Sequence, residues 1–293
     1  RLLLRGFGAT VFLLPLFLLR CMGASGGRLF CRFSGRYREL ARENLKIVFP
    51  GIEEDSLRTI IKDSFTMLGE NGADSIWFIS RNKKRRKQFV DIEGKEFLDA
   101  ALSQGRGVIA ATAHIGAFTI LGGTLAAYGY RVNCILRTPR DEKMANVLGR
   151  GLRMQEVKPI FTYPAIKCVN DSIGALRRNE ILVILIDQDM GRSGVFVNFF
   201  GRPASTPAGT LIFSLRTGAS IVPMFIIRGK ERHKLIIEKE FDLVYGESAE
   251  KSVLDNTQRL TYLIEGVIRK YPRQWSWVDR RWKTQPQNNT GIL

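Results

Sequence analysis

Histidine, cysteine and acid are all scarce in this sequence. Two histidines, His114 and His233, occur in 293 residues, and four cysteines stand far apart at 21, 31, 134 and 168. No CxxC pair forms, and ligating residue types do not cluster. That spacing excludes a zinc site of ordinary pattern, so no metal is expected. It also excludes a disulfide framework and points to reduced thiols in a cytosol-facing protein. There is no internal repeat and no low-complexity tract. Acid is outnumbered, with 28 Asp+Glu against 45 Lys+Arg and a net charge of +17. Such a surface suits anionic partners: nucleic acid, phospholipid headgroups or an acidic carrier protein. No nucleic-acid motif accompanies the charge, so nucleic acid is set aside.

A full membrane span is also missing from the hydropathy pattern. Residues 6–19 carry no charge and lie between Arg5 and Arg20. Fourteen helical residues reach only ~21 Å, short of a hydrocarbon core of ~30 Å. Pro15 would kink them. The segment is therefore expected to insert partly or to belong to a longer span. Arg20, Arg28, Arg32, Arg36 and Arg38 follow it. By the positive-inside rule they put the rest of the chain on the cytoplasmic side, against anionic lipid.

What the chain does carry is alternation. Helices are expected over 36–48 and 53–71, separated by Phe49-Pro50-Gly51, and the charge run 81–87 reads as a solvated loop or helix face. From residue 88 strands and helices take turns. Strands are expected at 89–93, 108–113, 132–137, 181–186, 221–227 and 234–240. Helices are expected at 93–104, 120–128, 143–155, 171–178, 207–217 and 256–271. The uninterrupted apolar run Ile181–Ile186 suits a strand covered on both faces. The whole argues an α/β fold with a largely parallel sheet. Three segments result: a hydrophobic and basic membrane-anchoring helix over 1–35, an α/β domain over 36–283, and a polar tail over 284–293.

Four clusters can carry chemistry. The apolar run 107–113 leads into His114, then Gly116, then a small-residue helix start. That sets an imidazole at the carboxyl end of a strand, where open α/β sheets bind ligands. An imidazole suits proton transfer near neutral pH, although a hydrogen-bonded core histidine would fit as well. Asp187, Gln188, Asp189 and Arg192 follow the apolar strand, in a polar site or a helix-capping turn. Arg202 lies among glycine, proline and hydroxyl residues ending at Thr206, suited to a phosphate or pantetheine contact or to a rigid loop. Trp275-Ser-Trp277 with Arg280, Arg281 and Lys283 suits a membrane interface, or a core strand with a basic end.

In this order the clusters resemble the lysophospholipid acyltransferase superfamily, and within it the lauroyl and myristoyl transferases of lipid A biosynthesis. The resemblance runs from the hydrophobic start and Glu43-Asn44-Leu45…Phe49-Pro50 through Ala113-His114-Ile115-Gly116 and Asp187-Gln188-Asp189. It continues through Phe199-Phe200-Gly201-Arg202-Pro203-Ala204…Thr206-Pro207 and Arg216-Thr217-Gly218…Val222-Pro223 to Trp275…Lys283. It implies a glycerolipid-acyltransferase-like sheet flanked by helices. It implies acyl transfer, without a cofactor, from a thioester of acyl carrier protein or coenzyme A to a hydroxyl of a membrane glycolipid. The setting implied is the cytoplasmic face of a bacterial inner membrane. Carried over, His114 is the general base, and Gly116, Asp187, Gln188, Asp189, Arg202 and Thr206 line the site. Arg137 and Arg153 would meet lipid phosphates.

One position departs from the pattern. The family has Asp or Glu as the fifth residue after its histidine, and this chain has Thr119. Threonine accepts a hydrogen bond but carries no charge to orient an imidazole. Either the chain is a weakened enzyme, or it is a lipid-binding relative, or another carboxylate serves. Asp187 and Asp189 are the expected substitutes. The acceptor could also be another glycolipid or a glycerophospholipid.

Overall fold

The computed structural model describes residues 14–286. Three helices come first: α1 (Leu16–Phe33), α2 (Gly35–Val48) and α3 (Glu54–Ile79). Small residues let α1 and α3 interlock. A Cβ at Gly23 would meet the Gly69 carbonyl oxygen at 2.4 Å, and one at Gly27 would meet that of Phe65 at 2.2 Å. The helix α3 also buries the apolar side chains of Leu57, Ile61 and Phe65 in the core.

Beyond them, α4 (Lys83–Phe89) leads into β1 (Val90–Glu93), α5 (Lys95–Ser103) and β2 (Val108–Thr112). A 3-10 turn and α6 (Leu121–Ala127) connect to β3 (Val132–Leu136), α7 (Glu142–Met154), β4 (Val157–Phe161), α8 (Ala165–Arg177) and β5 (Ile181–Leu185). Then come a hairpin of β6 (Val195–Phe199) and β7 (Arg202–Thr206), α9 (Gly209–Thr217), β8 (Ser220–Ile227), β9 (His233–Ile237) and α10 (Ala249–Lys270).

Seven strands form one sheet in the order β1-β9-β8-β2-β5-β3-β4. Five run parallel, and β8 pairs with β9 antiparallel. Mixed sheet and flanking helices match the α/β expectation. β2 and β5 lie side by side in the middle, buried on both faces as their unbroken apolar runs require.

Several expectations need correction. The apolar segment 6–19 falls mostly outside the described residues. Its described end opens α1, and no helix among the described residues is long and apolar enough to cross a membrane. Arg20 is not a lipid-facing cation: its Nε donates to the buried Asp74 Oδ1 at 2.7 Å. The 81–87 run is helical from Lys83 and not wholly solvated, because buried Arg86 donates to the Phe78 carbonyl at 2.9 Å. α3, α8 and α10 are longer than the periodicity suggested. β4 was not anticipated, since Pro159 and Lys158 blur its pattern and only an edge strand tolerates them. The hairpin was read as a loop. Its turn puts Phe200 and Gly201 both at positive φ, the geometry that matches the twist of paired strands.

Candidate active site

Strand register builds the centre of the site. β2 and β5 pair with Val108 beside Ile181 and Thr112 beside Leu185. The same offset carried two residues past both strand ends sets His114 beside Asp187. The Asp187 carboxylate accepts from the His114 backbone N–H at 2.9 Å and lies 2.8 Å from the ring Nδ1. A carboxylate only accepts, so Nδ1 carries the proton and Nε2 keeps its lone pair. The indole Nε1 of Trp275 donates at 2.8 Å to Asp187 Oδ2, the oxygen that also takes the His114 backbone N–H.

Electrostatics follow from this geometry. Burial opposes a charge on His114, but the Asp187 carboxylate outweighs it and holds the ring pKa above its ordinary value. Burial likewise opposes ionised Asp187, yet the imidazole, the indole and the backbone N–H keep its pKa below normal. The His114 side chain remains 20% exposed and Asp187 only 2%. This is a base with an open face and a covered orienter.

The turn after His114 is clamped from several sides. Gly116 has φ +59, and a Cβ there would meet the Ile226 carbonyl oxygen at 2.0 Å. Its N–H donates to the Gln274 carbonyl at 2.8 Å, and its carbonyl accepts from Asn71 Nδ2 at 2.8 Å. Ser276 N–H donates to the His114 carbonyl at 3.1 Å. Gly116 therefore shapes the backbone.

His114 opens onto a cleft of about 2030 Å³. One wall is apolar, formed by Ile76 and Ile79 of α3, Val147, Leu148 and Leu152 of α7, and Ile212 of α9. Arg36, Arg137 and Arg202 lie exposed on its rim. Gln188 faces His114, with its Nε2 3.2 Å from the ring Nε2 and 2.8 Å from Asp279 Oδ2.

Other expected residues sit elsewhere. Thr119 lines the cleft but bonds with Ser75, whose hydroxyl reaches it at 2.8 Å. Asp189 also lines the cleft, but it accepts from the Thr284 hydroxyl at 2.9 Å and holds the C-terminal turn, not the imidazole. Thr206 is fully buried beneath Arg281, whose guanidinium donates to its hydroxyl. The Arg153 guanidinium lies back over Gly149, and Arg153 is not among the cleft residues.

Four residues of the C-terminal segment, Trp275, Trp277, Asp279 and Arg281, have parts that the sequence reading did not assign to them. Trp275 and Trp277 are buried rather than interfacial, since the first anchors Asp187 and the second donates to the Pro272 carbonyl at 2.7 Å. Buried Arg281 donates to the Ser205 carbonyl at 2.6 Å, and desolvation lowers its pKa to about 10. Asp279, the one acid among Arg280, Arg281 and Lys283, was a signal that the interfacial reading passed over.

The chain is similar to characterised proteins over nearly its full length. It is 28% identical over 290 residues to the lipid A biosynthesis palmitoleoyltransferase of Escherichia coli, covering 95% of this chain and 89% of that protein. It is 26% identical over 285 residues to the lipid A biosynthesis lauroyltransferase of the same organism, covering 94% and 88%. It is 25% identical over 278 residues to a phosphatidylinositol mannoside acyltransferase of Mycobacterium tuberculosis, covering 92% and 84%. The model of the bacterial lipid A biosynthesis acyltransferases matches residues 2–284. With an oriented imidazole at the mouth of an apolar cleft, the chain belongs to the bacterial lipid A biosynthesis acyltransferase family and is an O-acyltransferase.

Proposed function

We propose that this protein moves a fatty acyl group from a thioester to a hydroxyl of a lipid A precursor, with His114 as general base. The observation that carries the reading is the His114–Asp187–Trp275 chain opening onto a cleft with one apolar wall. The acceptor hydroxyl gives its proton to His114 Nε2 and attacks the thioester carbonyl. Asp187 holds the correct tautomer and steadies the imidazolium. The ring returns the proton to the departing thiolate. Asp187 takes the orienting role for which Thr119 has no charge, which favours an enzyme over a lipid-binding relative.

The donor proposed is acyl carrier protein, because the net charge of +17 suits an acidic carrier. The cationic rim, with Arg137 and Arg202, suits the acceptor's anionic groups. Exposed apolar side chains line the cleft, including Tyr37 and Val147, the latter 65% exposed. With the neighbouring arginines they suit the cytoplasmic face of the inner membrane. Purified protein is offered acyl carrier protein and coenzyme A thioesters with lipid A precursor in mixed micelles. His114→Ala is expected to lower transfer by about 10³-fold or more. Transfer unchanged in that variant would sink the catalytic role of His114.

A further inference from the structure

Gln188 occupies the one position the reaction needs empty. Its amide nitrogen is 3.2 Å from the lone pair of His114 Nε2, where an acceptor hydroxyl must bind. The same nitrogen donates to Asp279 Oδ2 at 2.8 Å. A carboxylate only accepts, so Asp279 fixes which end of the amide faces the imidazole. One N–H then points at Asp279 and the other at His114. An ionised Asp279 thus disfavours the flipped amide, which would present its oxygen and invite a proton onto Nε2.

We infer that Gln188 caps the free base until the acceptor hydroxyl displaces it and then becomes a donor to the acyl oxyanion, with Asp279 as its positioning residue. The inference rests on the acyl-transfer reading above. The displaced N–H stays about one hydrogen bond from the reacting centre, because the other N–H remains tied to Asp279. As the acceptor oxygen bonds to the thioester carbon, its proton passes to His114 Nε2 and the carbonyl oxygen becomes anionic. That oxygen takes the freed N–H. When the C–S bond breaks, the electron pair leaves with sulfur, the proton follows from His114, and Gln188 returns to its cap.

The charged environment agrees with this division of roles. Asp187 approaches His114 from the end of β5 and Asp279 from the C-terminal segment. Arg137 and Arg281 bear on Asp279 from the rim and from the core. Burial nevertheless raises the pKa of Asp279, offset in part by His114 and Gln188. The pair is shielded enough for its hydrogen bond to matter and open enough for a substrate to displace the amide.

The test is a double-mutant cycle on the full-length chain. Gln188→Leu is expected to lower kcat about 10²-fold, the scale of one oxyanion donor, with KM for the acyl thioester unchanged. Asp279→Asn is expected to lower kcat about tenfold by loosening the amide. The double variant should match Gln188→Leu alone, because Asp279 acts through Gln188. Multiplying losses would overturn the positioning role, and a Gln188→Leu kcat within about twofold of the parent would overturn the donor role. Should His114→Ala abolish transfer while Gln188→Leu keeps it, only this inference fails.

A second readout does not need turnover. With two histidines, ¹⁵N-histidine labelling resolves both rings. Gln188→Leu should shift the His114 Nε2 resonance and leave His233 in place. An unmoved His114 resonance would overturn the cap. A parent protein that transfers no acyl group from any thioester would overturn the acyl-transfer reading and the oxyanion role together, while the resonance still decides the cap.

Discussion

The two histidines make the same pair with aspartate and are put to opposite use. His233 is fully buried, and its Nε2 lies 3.0 Å from Asp74 Oδ2. Its Nδ1 accepts from the Gly229 N–H at 3.2 Å, which assigns the proton to Nε2. The Arg20 guanidinium also lies 3.1 Å from that Nε2, a close approach of two donors rather than a bond. Burial depresses the His233 pKa more than Asp74 raises it, so the ring stays neutral. Asp74 is instead charged, paired with Arg20 and with Arg228 Nη2 at 2.6 Å, and its pKa is held below normal against its burial. At His114 only carboxylates among the described residues bear on the ring, and the side chain is partly exposed. Neighbouring arginines and complete burial turn a histidine–aspartate pair into a fastening. Carboxylates alone, beside a partly exposed ring, leave a pair that can cycle a proton.

The sharpest way to separate the pairs is to neutralise each aspartate. Asp187→Asn should lower kcat by about 10⁴-fold, because the wrong tautomer becomes available, with melting temperature little changed. The parent's rate should fall as pH drops through a His114 pKa above 6.5, and in the variant that limb should move to lower pH. A limb that stays in place would contradict the Asp187 assignment.

Asp74→Ala should act on stability instead. Arg20 would lose its carboxylate and Arg228 would keep only the more distant Glu70, at 3.5 Å, at a cost of about 3 kcal/mol in denaturant unfolding. Both Asp74 and His233 have folded pKa values below their unfolded ones. Each contributes stability that is present above its unfolded pKa and lost as pH falls through the folded one. Acid should therefore destabilise the parent, first below about pH 6.5 through His233. Below about pH 4, where Asp74 itself titrates, Asp74→Ala should unfold less steeply with acid than the parent. Equal acid sensitivity would remove the fastening role.

The smallest expected effect lies at Thr119. Thr119→Val should cost about 1 kcal/mol, the loss of its bond with Ser75, and should leave the pH–rate profile unmoved. A shifted limb would return Thr119 to the imidazole.

Both histidines show how far residue patterns reach. The carboxyl-end position of His114 could be read, because an unbroken apolar run followed by a glycine turn is a local signal. Its Asp187 partner was one of two candidates, and nothing local separates Asp187 from Asp189. Strand pairing does so: in-register β2 and β5 present position 187, while 189 turns toward Thr284. Trp275 and Asp279 were hidden for a related reason. Their partners lie 88 and 91 residues away in sequence, and a cationic, aromatic segment looks interfacial until a carboxylate is found beneath it. Arg20 misled in the same manner, since an arginine after an apolar run reads as a membrane flank unless Asp74 is known to wait under it. Helix extents were harder than strand cores. Apolar spacing blurs where α3 takes on the glycines that let α1 approach.

One consequence of the β2–β5 register concerns tolerance to change. The spacing of imidazole and carboxylate is set by two adjacent strands, although the two residues stand 73 positions apart in the chain. Helices α6 to α8 can therefore be lengthened, shortened or exchanged as cassettes while the proton-transfer pair keeps its distance. The cleft wall that α7 supplies could thus be remade for a different acyl chain without rebuilding the chemistry beside it.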